Sequence, residues 1–277
     1  MNPKELKRRD FITKATIGTV GAAAFISSCS AGNNTKPINE PPELLDQAPD
    51  GRIIKAGLIG CGGRGTGAAD NFLDAGPNLE ITALGDVFQD KIDSCRASLK
   101  EKKGVEIADE NCFLGFDSYQ KVIDSGVDVV LLCTPPHFRP LHVEAAINAR
   151  KHVFIEKPVA VDPVGVRSVL ASSRTAEAQG LCMVSGTIRR VQKNYMTTQM
   201  KVANGEIGEI VGANIIRNGG ALWVRKRKPE WTDMEYMLRN WYNFCWLSGD
   251  HITEQFIHEI DVMSWHMGRT PVKATAW

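Results

Sequence analysis

The sequence predicts an α/β protein. A doubly wound parallel (Rossmann) sheet is expected over residues 52–186, followed over 187–277 by the start of an α+β domain with a mostly antiparallel sheet. Two observations support this: short apolar runs alternate with amphipathic stretches as far as residue 186, and a glycine-rich turn joins the first run to the first stretch. Alternating strands and helices form parallel sheets because each return to the sheet needs a crossover.

The first 29 residues have the pattern of an export signal. A basic start precedes the apolar run ATIGTVGAAAFI, which is too short to span a bilayer. KRRDFITK resembles a twin-arginine signal, which exports folded proteins, and ISSC resembles a lipidation site at Cys29. The alternative is an accidental cysteine beside an ordinary cleavage site. We expect residues 1–29 to be the signal and residues 30–51 a flexible tether from a lipidated Cys29 on the periplasmic side.

The composition argues against several classes of function. The formal net charge is only +1, so nothing favours nucleic acid or an anionic surface as a partner. No later run reaches the length of about 18 apolar residues that a membrane helix needs. The cysteines after Cys29 show no CxxC spacing, which suits free thiols in a chain that folds in the reducing cytosol before export.

The elements of the first domain follow from its hydrophobic periodicity. Five apolar runs have the character of strands buried on both faces. In chain order they are IIKAGLIG, LEITALGD, VDVVLLCT, HVFIEKP and LCMVSG. Amphipathic helices are expected between them. These are GTGAADNFLDAG, FQDKIDSCRASLKEKKG, FDSYQKVIDSG, FRPLHVEAAINARK and DPVGVRSVLASSRTAEAQG.

The pattern changes after residue 187. VQKNYMTTQMKVANGEIG predicts a connecting helix, EIVGANIIRNGG a strand and HITEQFIHEIDVMSWHMG another helix. TPVKATAW begins like a further strand, and the chain stops there. We therefore expect the second domain to be incomplete at this C-terminus and to mediate homo-oligomerisation.

An aromatic and basic stretch, ALWVRKRKPEWTDMEYMLRNWYNFCW, lies between that strand and that helix. Its tryptophans are Trp223, Trp231, Trp241 and Trp246. Such side chains serve either as apolar platforms for a sugar or as packing in a core or subunit contact. We favour packing for most of them.

The turn AGLIGCGGRG carries a dinucleotide-binding pattern. Gly60, Gly62 and Gly65 have the G-x-G-x-x-G spacing, and Asp86 ends the next predicted strand, 21 residues after Gly65. Gly60 permits the tight turn, Gly62 lets the backbone approach a pyrophosphate, and Gly65 allows close packing of helix and strand. The helix amides then meet the phosphates. A glycine-rich turn in an unrelated α/β protein is the alternative.

The same turn bears on which dinucleotide is bound. Asp86 would accept hydrogen bonds from the ribose hydroxyls and repel a 2′-phosphate, which favours NAD over NADP. Gly63 and Arg64 complete the loop, and the Arg64 charge would soften that preference.

Two further motifs follow predicted strands. Ligands of open α/β sheets bind at the carboxyl ends of strands, so Thr134, Pro135 and His137 of CTPPHF should face the nicotinamide half of the crevice. Glu156 and Lys157 of EKPVAV occupy the equivalent place after the next strand, where a lysine can donate to a substrate oxygen. A surface turn is the alternative for either motif.

One predicted helix carries four polar side chains on a single face. His251, Glu254, His258 and Asp261 are spaced by three, four and three residues. Such a face is an acid–base relay, a divalent metal site or ordinary polar surface. The spacing alone leaves all three open.

Together these motifs resemble the Gfo/Idh/MocA family of glucose–fructose oxidoreductases and inositol dehydrogenases, over about residues 53–277. The resemblance rests on GxGxxG, TPP, EKP and GEIG in this order. It implies catalytic roles for Lys157, for His258 as general base and for Glu254, and Asp261 falls on the remaining position of the family pattern. Since His251 shares the helix face, we expect His251 and Asp261 near the substrate. Glutamate replaces a more common aspartate at Glu254, and Phe256 replaces a common glycine.

The resemblance implies an NAD-dependent oxidation of a sugar or cyclic polyol hydroxyl. The periplasm holds little free NAD, so an exported enzyme would carry its cofactor with it and retain it through each cycle. A variant within the family is a glycosidase that oxidises C3 transiently and eliminates the aglycone. Alternatives from other classes are a metal-dependent hydrolase or epimerase and a non-catalytic sugar-binding lipoprotein.

Overall fold

The computed structural model describes residues 51–275. The expected export signal at 1–29, its Cys29 and the tether as far as residue 50 lie outside the described residues. Within residues 51–275, no helix combines the length and apolar character that a bilayer crossing requires.

The first domain is a Rossmann fold, as predicted. Six parallel strands form one sheet in the order β3-β2-β1-β4-β5-β6. The strands are β1 (Ile54–Ile59), β2 (Leu79–Asp86), β3 (Cys112–Leu114), β4 (Val129–Leu132), β5 (His152–Ile155) and β6 (Met183–Ser185). The chain reverses its direction of growth between β1 and β4, and the carboxyl ends of these two strands open a crevice there.

Five helices connect these strands, close to where the periodicity predicts them. They are α1 (Gly63–Asp74), α2 (Gln89–Lys103), α3 (Ser118–Asp124), α4 (Arg139–Asn148) and α5 (Pro163–Ala178). Their ends follow local chemistry. The carboxylate of Asp162 caps α5 by accepting a hydrogen bond from the Gly165 amide at 2.7 Å, and Gly104 ends α2 in the left-handed conformation.

The core lies on both faces of the sheet. On one face, Leu58 packs with buried residues of α1 and α2, and on the other Ile59 packs with α3, α4 and α5. Adjacent strand residues point to opposite faces, so strands covered on both sides must be apolar throughout. This requirement produces the continuous apolar runs from which the strands are predicted.

The short edge strand β3 is absent from the sequence-based prediction. It contains only Cys112, Phe113 and Leu114 and pairs with the end of β2. Leu114 is exposed, as an edge position allows. Three residues are too few to show a period.

After residue 187 the structure is helical, with long extended connections. It contains α6 (Lys193–Ala203), α7 (Asp233–Arg239), α8 (Cys245–Ser248) and α9 (Ile257–Met267). A π-helical segment, Ile252–Phe256, leads into α9, and a 3-10 turn, Trp241–Asn243, follows α7.

The strands expected at EIVGANIIRNGG (209–220) and TPVKATAW (270–277) are wrong for the part of the chain that the structure describes. No strand occurs there after β6, and Val211 and Ile216 are largely exposed. A strand exists only through hydrogen bonds to a neighbour, and residues 51–275 supply no neighbour for either stretch. The expected antiparallel sheet is therefore absent from these residues.

Candidate functional site

A cavity of about 420 Å³ lies at the carboxyl ends of β1, β2 and β4. It occupies the crevice that the strand order creates, and it borders eight of the predicted cofactor-binding residues. These are Gly60, Gly62, Gly63, Arg64, Gly65, Asp86, Thr134 and Pro135.

The three motif glycines have the distinct roles that the spacing predicts. Gly60 has a φ of +95°, a conformation that favours glycine. A Cβ on Gly65 would lie 1.8 Å from the carbonyl oxygen of Gly60, so only glycine lets α1 approach β1 this closely. A Cβ on Gly62 or Gly63 would meet no atom within 4 Å, so at these two positions bare backbone lies open beside the cavity.

The N-terminus of α1 is suited to a phosphate group. Gly62 is its N-cap and offers no side chain to the first-turn amides, and no acidic residue occupies that turn. Such amides and the helix dipole favour an anionic ligand. Together with the open backbone at Gly62 and Gly63, this arrangement fits the pyrophosphate of a dinucleotide.

The Asp86 carboxylate joins the end of β2 to the glycine turn. Its Oδ2 accepts a hydrogen bond from the Cys61 amide at 2.7 Å, and its Oδ1 accepts one from the Phe88 amide at 2.9 Å. Burial raises the pKa of Asp86, and these amides oppose that rise. Each oxygen keeps further lone-pair capacity, so Asp86 can still accept ribose hydroxyls.

Arg64 borders the cavity and contacts Glu156, the residue that follows β5. Its Nε donates to Oε1 of the buried Glu156 at 2.7 Å. The Arg64 charge is therefore committed to a carboxylate. Glu156, Lys157 and His137 lie outside the cavity wall, and the His137 ring packs edge-on against Trp246 with centroids 5.1 Å apart.

The partly buried Lys157 and the buried Glu254 form an ion pair beside this region. The Lys157 Nζ lies 2.7 Å from Glu254 Oε1 and also donates to the Glu254 carbonyl oxygen. Glu254 is buried, and its Oε2 has no hydrogen-bond partner among residues 51–275. Burial raises the pKa of Glu254, although the Lys157 ammonium opposes that rise. A buried oxygen without a partner is an acceptor site for a hydroxyl group.

His258 lies one turn further along the helix and is half-buried. Burial lowers its pKa, and the nearby positive charges of Lys157, Arg189 and Arg217 lower it further. The imidazole is therefore neutral at neutral pH, which is the protonation state that a general base requires.

The structure does not assemble the four polar residues of this helix into one cluster. Asp261 is bound to the Arg190 guanidinium, with a 2.8 Å contact from Nη2 to Oδ1, and His251 is exposed with its ring against Phe256. The π-helical segment changes the spacing that an uninterrupted α-helix would give. In residues 51–275, no group of three or more His, Cys, Asp or Glu side chains is arranged to hold a metal ion.

A buried arginine that the sequence reasoning missed connects two of the site's loops. Arg139 donates from Nε to the Thr134 carbonyl oxygen at 2.8 Å and from Nη1 to the carbonyl oxygens of Glu156, at 2.9 Å, and Pro158. Its burial lowers its pKa to about 10, which leaves it charged at neutral pH. No sequence pattern marks such a residue, because its three acceptors are backbone carbonyls.

Residues from beyond the Rossmann domain also border the cavity. They are Trp223, Arg225, Leu238, Arg239 and Trp241. The basic and aromatic composition of this stretch was the available signal, but packing was the favoured interpretation for its tryptophans. Trp223 and Trp241 border the cavity, and their rings also pack against each other with centroids 6.5 Å apart.

Comparison with known proteins gives a consistent result. Residues 54–185 match the family GFO_IDH_MocA, described as an oxidoreductase family with an NAD-binding Rossmann fold. The myo-inositol 2-dehydrogenase of Thermotoga maritima is 27% identical over 215 residues, which cover 78% of this chain and 55% of that protein. The 2,7-anhydro-N-acetylneuraminate hydratase of Escherichia coli is 26% identical over 225 residues, which cover 80% and 52% of the two chains.

A solved structure shares the fold. The scyllo-inositol dehydrogenase of Lactobacillus casei, determined with bound NAD(H) and scyllo-inositol, superposes with a TM-score of 0.56 at 23% identity. The match covers 78% of this chain and 57% of that one. The chain thus spans a little over half the length of the relatives it matches.

Proposed function

We propose that this protein is an NAD-dependent oxidoreductase acting on a hydroxyl of a sugar or cyclic polyol, because residues 54–185 match the NAD-binding domain of the Gfo/Idh/MocA oxidoreductases. The inositol dehydrogenases among its relatives support the polyol class. The observation that carries the proposal is the Lys157–Glu254 ion pair, which follows β5 directly after Glu156, the partner of Arg64 in the cavity wall.

Bound NAD would supply the hydride acceptor, at its nicotinamide ring. The residues of this chain then provide the proton chemistry. His258 accepts the proton of the substrate hydroxyl, since its lowered pKa keeps it neutral. Lys157 donates a hydrogen bond to the same oxygen, and Glu254 holds the ammonium in place through its 2.7 Å contact. His251 and Asp261 remain proposed substrate neighbours.

We further propose that the enzyme acts outside the cytoplasm with a retained cofactor. The twin-arginine and lipidation patterns support export and a membrane anchor at Cys29. An enzyme that folds around its dinucleotide before export keeps the nucleotide if dissociation is slow. Each hydride removed is then returned to a second substrate at the same site. Homo-oligomerisation through the second domain completes this proposal.

A second candidate is a glycosidase that oxidises C3 transiently, eliminates the aglycone, adds water and ends without net oxidation. The Escherichia coli relative, named a hydratase, favours this candidate. Aglycone release from a chromogenic glycoside with no net NADH would support the glycosidase. Keto-sugar formation would support the oxidoreductase.

The decisive experiment denatures the purified protein and identifies the released nucleotide by absorbance and mass spectrometry. Stoichiometric NAD(H), together with its reduction by an inositol or an aldose, is the expected result. A protein that releases no nucleotide and binds added NAD(H) only weakly would overturn the proposal.

A further inference from the structure

We propose that residues 223–243, called the strap below, hold the dinucleotide in its pocket, and that Arg225 binds its diphosphate. This inference rests on the proposed function, because it concerns the same pocket. The strap comprises an extended stretch, helix α7 and the 3-10 turn after it. None of it belongs to the residues matched as the NAD-binding domain.

The strap is fixed to the Rossmann domain by Arg239. Its guanidinium bonds both carboxylate oxygens of Asp90, at 2.9 and 3.1 Å, and lies 3.9 Å from the centre of the Phe88 ring. Phe88 and Arg239 both border the cavity, whereas Asp90 does not. The anchor thus lies at the end of β2, beside Asp86, where the adenosine part of a dinucleotide is expected.

The strap also has an internal clamp that sets the position of Arg225. The buried Asn240 accepts a hydrogen bond from the Arg225 amide at 2.6 Å and donates to the Arg225 carbonyl oxygen at 3.3 Å. Asn243 donates to the Trp223 carbonyl oxygen at 2.9 Å. The extended stretch is therefore held in a defined place at the cavity wall, although it belongs to no sheet.

The charges of the side chains around the cavity indicate which group of a ligand Arg225 can bind. Four cationic side chains border the cavity: Lys91, Arg64, Arg225 and Arg239. Three of them have carboxylate partners: Asp90 for Lys91 and Arg239, and Glu156 for Arg64. Within the part of the chain that the structure describes, the Arg225 guanidinium forms no ion pair and lies over the Trp223 ring, 5.4 Å from its centroid. A diphosphate is the group that complements an unpaired guanidinium in a cavity that the glycine turn also borders.

The aromatic side chains of the strap complete the enclosure. The Trp223 ring stacks on Tyr242 with centroids 5.9 Å apart, yet 44% of the residue stays exposed. An aromatic ring that is held by its neighbours and is still partly exposed offers surface to a planar ligand ring. A ligand that occupies the cavity thus lies between the strap and the Rossmann domain.

The test measures nucleotide release and not turnover. NADH is bound to the complete protein, and its dissociation is followed by fluorescence after mixing with excess NAD. Arg225→Gln should increase the dissociation rate at least tenfold. It should weaken ADP binding similarly and leave adenosine binding within about twofold. The matched control is Lys226→Gln, which removes the same charge from the neighbouring position outside the cavity and should change none of these values.

A second variant tests the strap without altering the cavity wall. Asp90→Asn removes the charge that anchors Arg239 and should also increase NADH dissociation several-fold, which covers the case in which Arg225→Gln fails to fold. Unchanged dissociation in a folded Arg225→Gln protein, or in Asp90→Asn where Arg225→Gln does not fold, overturns the inference while leaving the proposed function intact. Absence of NADH binding in the unsubstituted protein would instead overturn the proposed function.

Discussion

The ammonium of Lys157 lies 2.7 Å from the carboxylate of Glu254, a residue 97 positions further along the chain. Each group is buried enough that its charge depends on the other, because an unpaired ion in this setting costs several kcal/mol. The pair thus joins the carboxyl end of β5 to the helical segment that carries His258. The pair thereby brings a side chain of the Rossmann domain, Lys157, into contact with a side chain of the later helical region, Glu254.

Lys157→Met should lower turnover about 10²- to 10⁴-fold, because the donor to the substrate oxygen is lost. Release of NAD(H) by denaturation should remain stoichiometric. Lys151→Met, before the start of β5, is the matched control and should keep normal turnover. The double variant Lys157→Met/Glu254→Gln separates catalysis from folding, since it avoids an unpaired carboxylate and should regain stability without regaining activity. Turnover within a factor of two of normal in Lys157→Met would rule out the assigned role.

Alanine substitutions at two motif glycines should affect different properties, protein stability at Gly65 and NAD affinity at Gly62. Gly65→Ala places a Cβ 1.8 Å from a carbonyl oxygen and should reduce the free energy of unfolding by about 3 kcal/mol or more. Gly62→Ala meets no protein atom and has an ordinary φ of −67°, so stability should change by less than about 0.5 kcal/mol. Its NAD affinity should fall at least tenfold. Denaturant unfolding and calorimetric titration measure both, and equal NAD affinity in Gly62→Ala and the unsubstituted protein would contradict the pocket assignment.

The pH dependence of kcat/KM should report His258. Its pKa is lowered by burial and by neighbouring cations, so the rate should rise with pH and level off through a pKa below the ordinary histidine value of about 6.5. His258→Gln should remove this limb and reduce the rate about 10²-fold or more. A limb that persists unchanged in His258→Gln would assign the titration to another group, of which Glu254 with its raised pKa is the first to examine.

Protein stability should depend on pH through His142. Burial, with help from the Arg139 charge, lowers its pKa to about 4, so the folded state favours the neutral ring. The stabilising contribution is complete above pH 6.5 and is lost as the pH falls towards 4, by at most about 3 kcal/mol. The His142 Nδ1 lies 3.3 Å from the Thr134 hydroxyl. The substitution His142→Asn keeps a polar group for this hydroxyl but does not titrate, so the unfolding free energy of the variant should fall less over this range. Parallel curves for the two proteins would refute this, and the exposed His251→Asn serves as the control.

The Rossmann part of the fold is predictable because its signals are local. Burial on both faces makes the strands uniformly apolar, and the turn at Gly60 requires a φ of +95° that marks the residue as glycine. Edge strand β3 escapes prediction because three half-exposed residues carry no period. The strand expected at 209–220 is wrong because its apolar residues alone do not provide a neighbouring strand.

The candidate site is predictable only where its residues belong to a motif. Gly62 and Asp86 follow from spacing within one βαβ unit. By contrast, the contact of Arg239 with Asp90 joins residues 149 positions apart, and the helix carrying Asp261 turns that side chain towards Arg190. Such pairings depend on how the residues after 187 fold, and a local sequence pattern does not contain this information.

The three backbone bonds of Arg139 have a consequence for redesign of this scaffold. The loop after β4 and the turn after β5 share one guanidinium, so neither can be lengthened or exchanged alone without leaving a buried cation short of acceptors. Grafting a foreign specificity loop into either place would succeed only if the other loop and the arginine were transplanted with it.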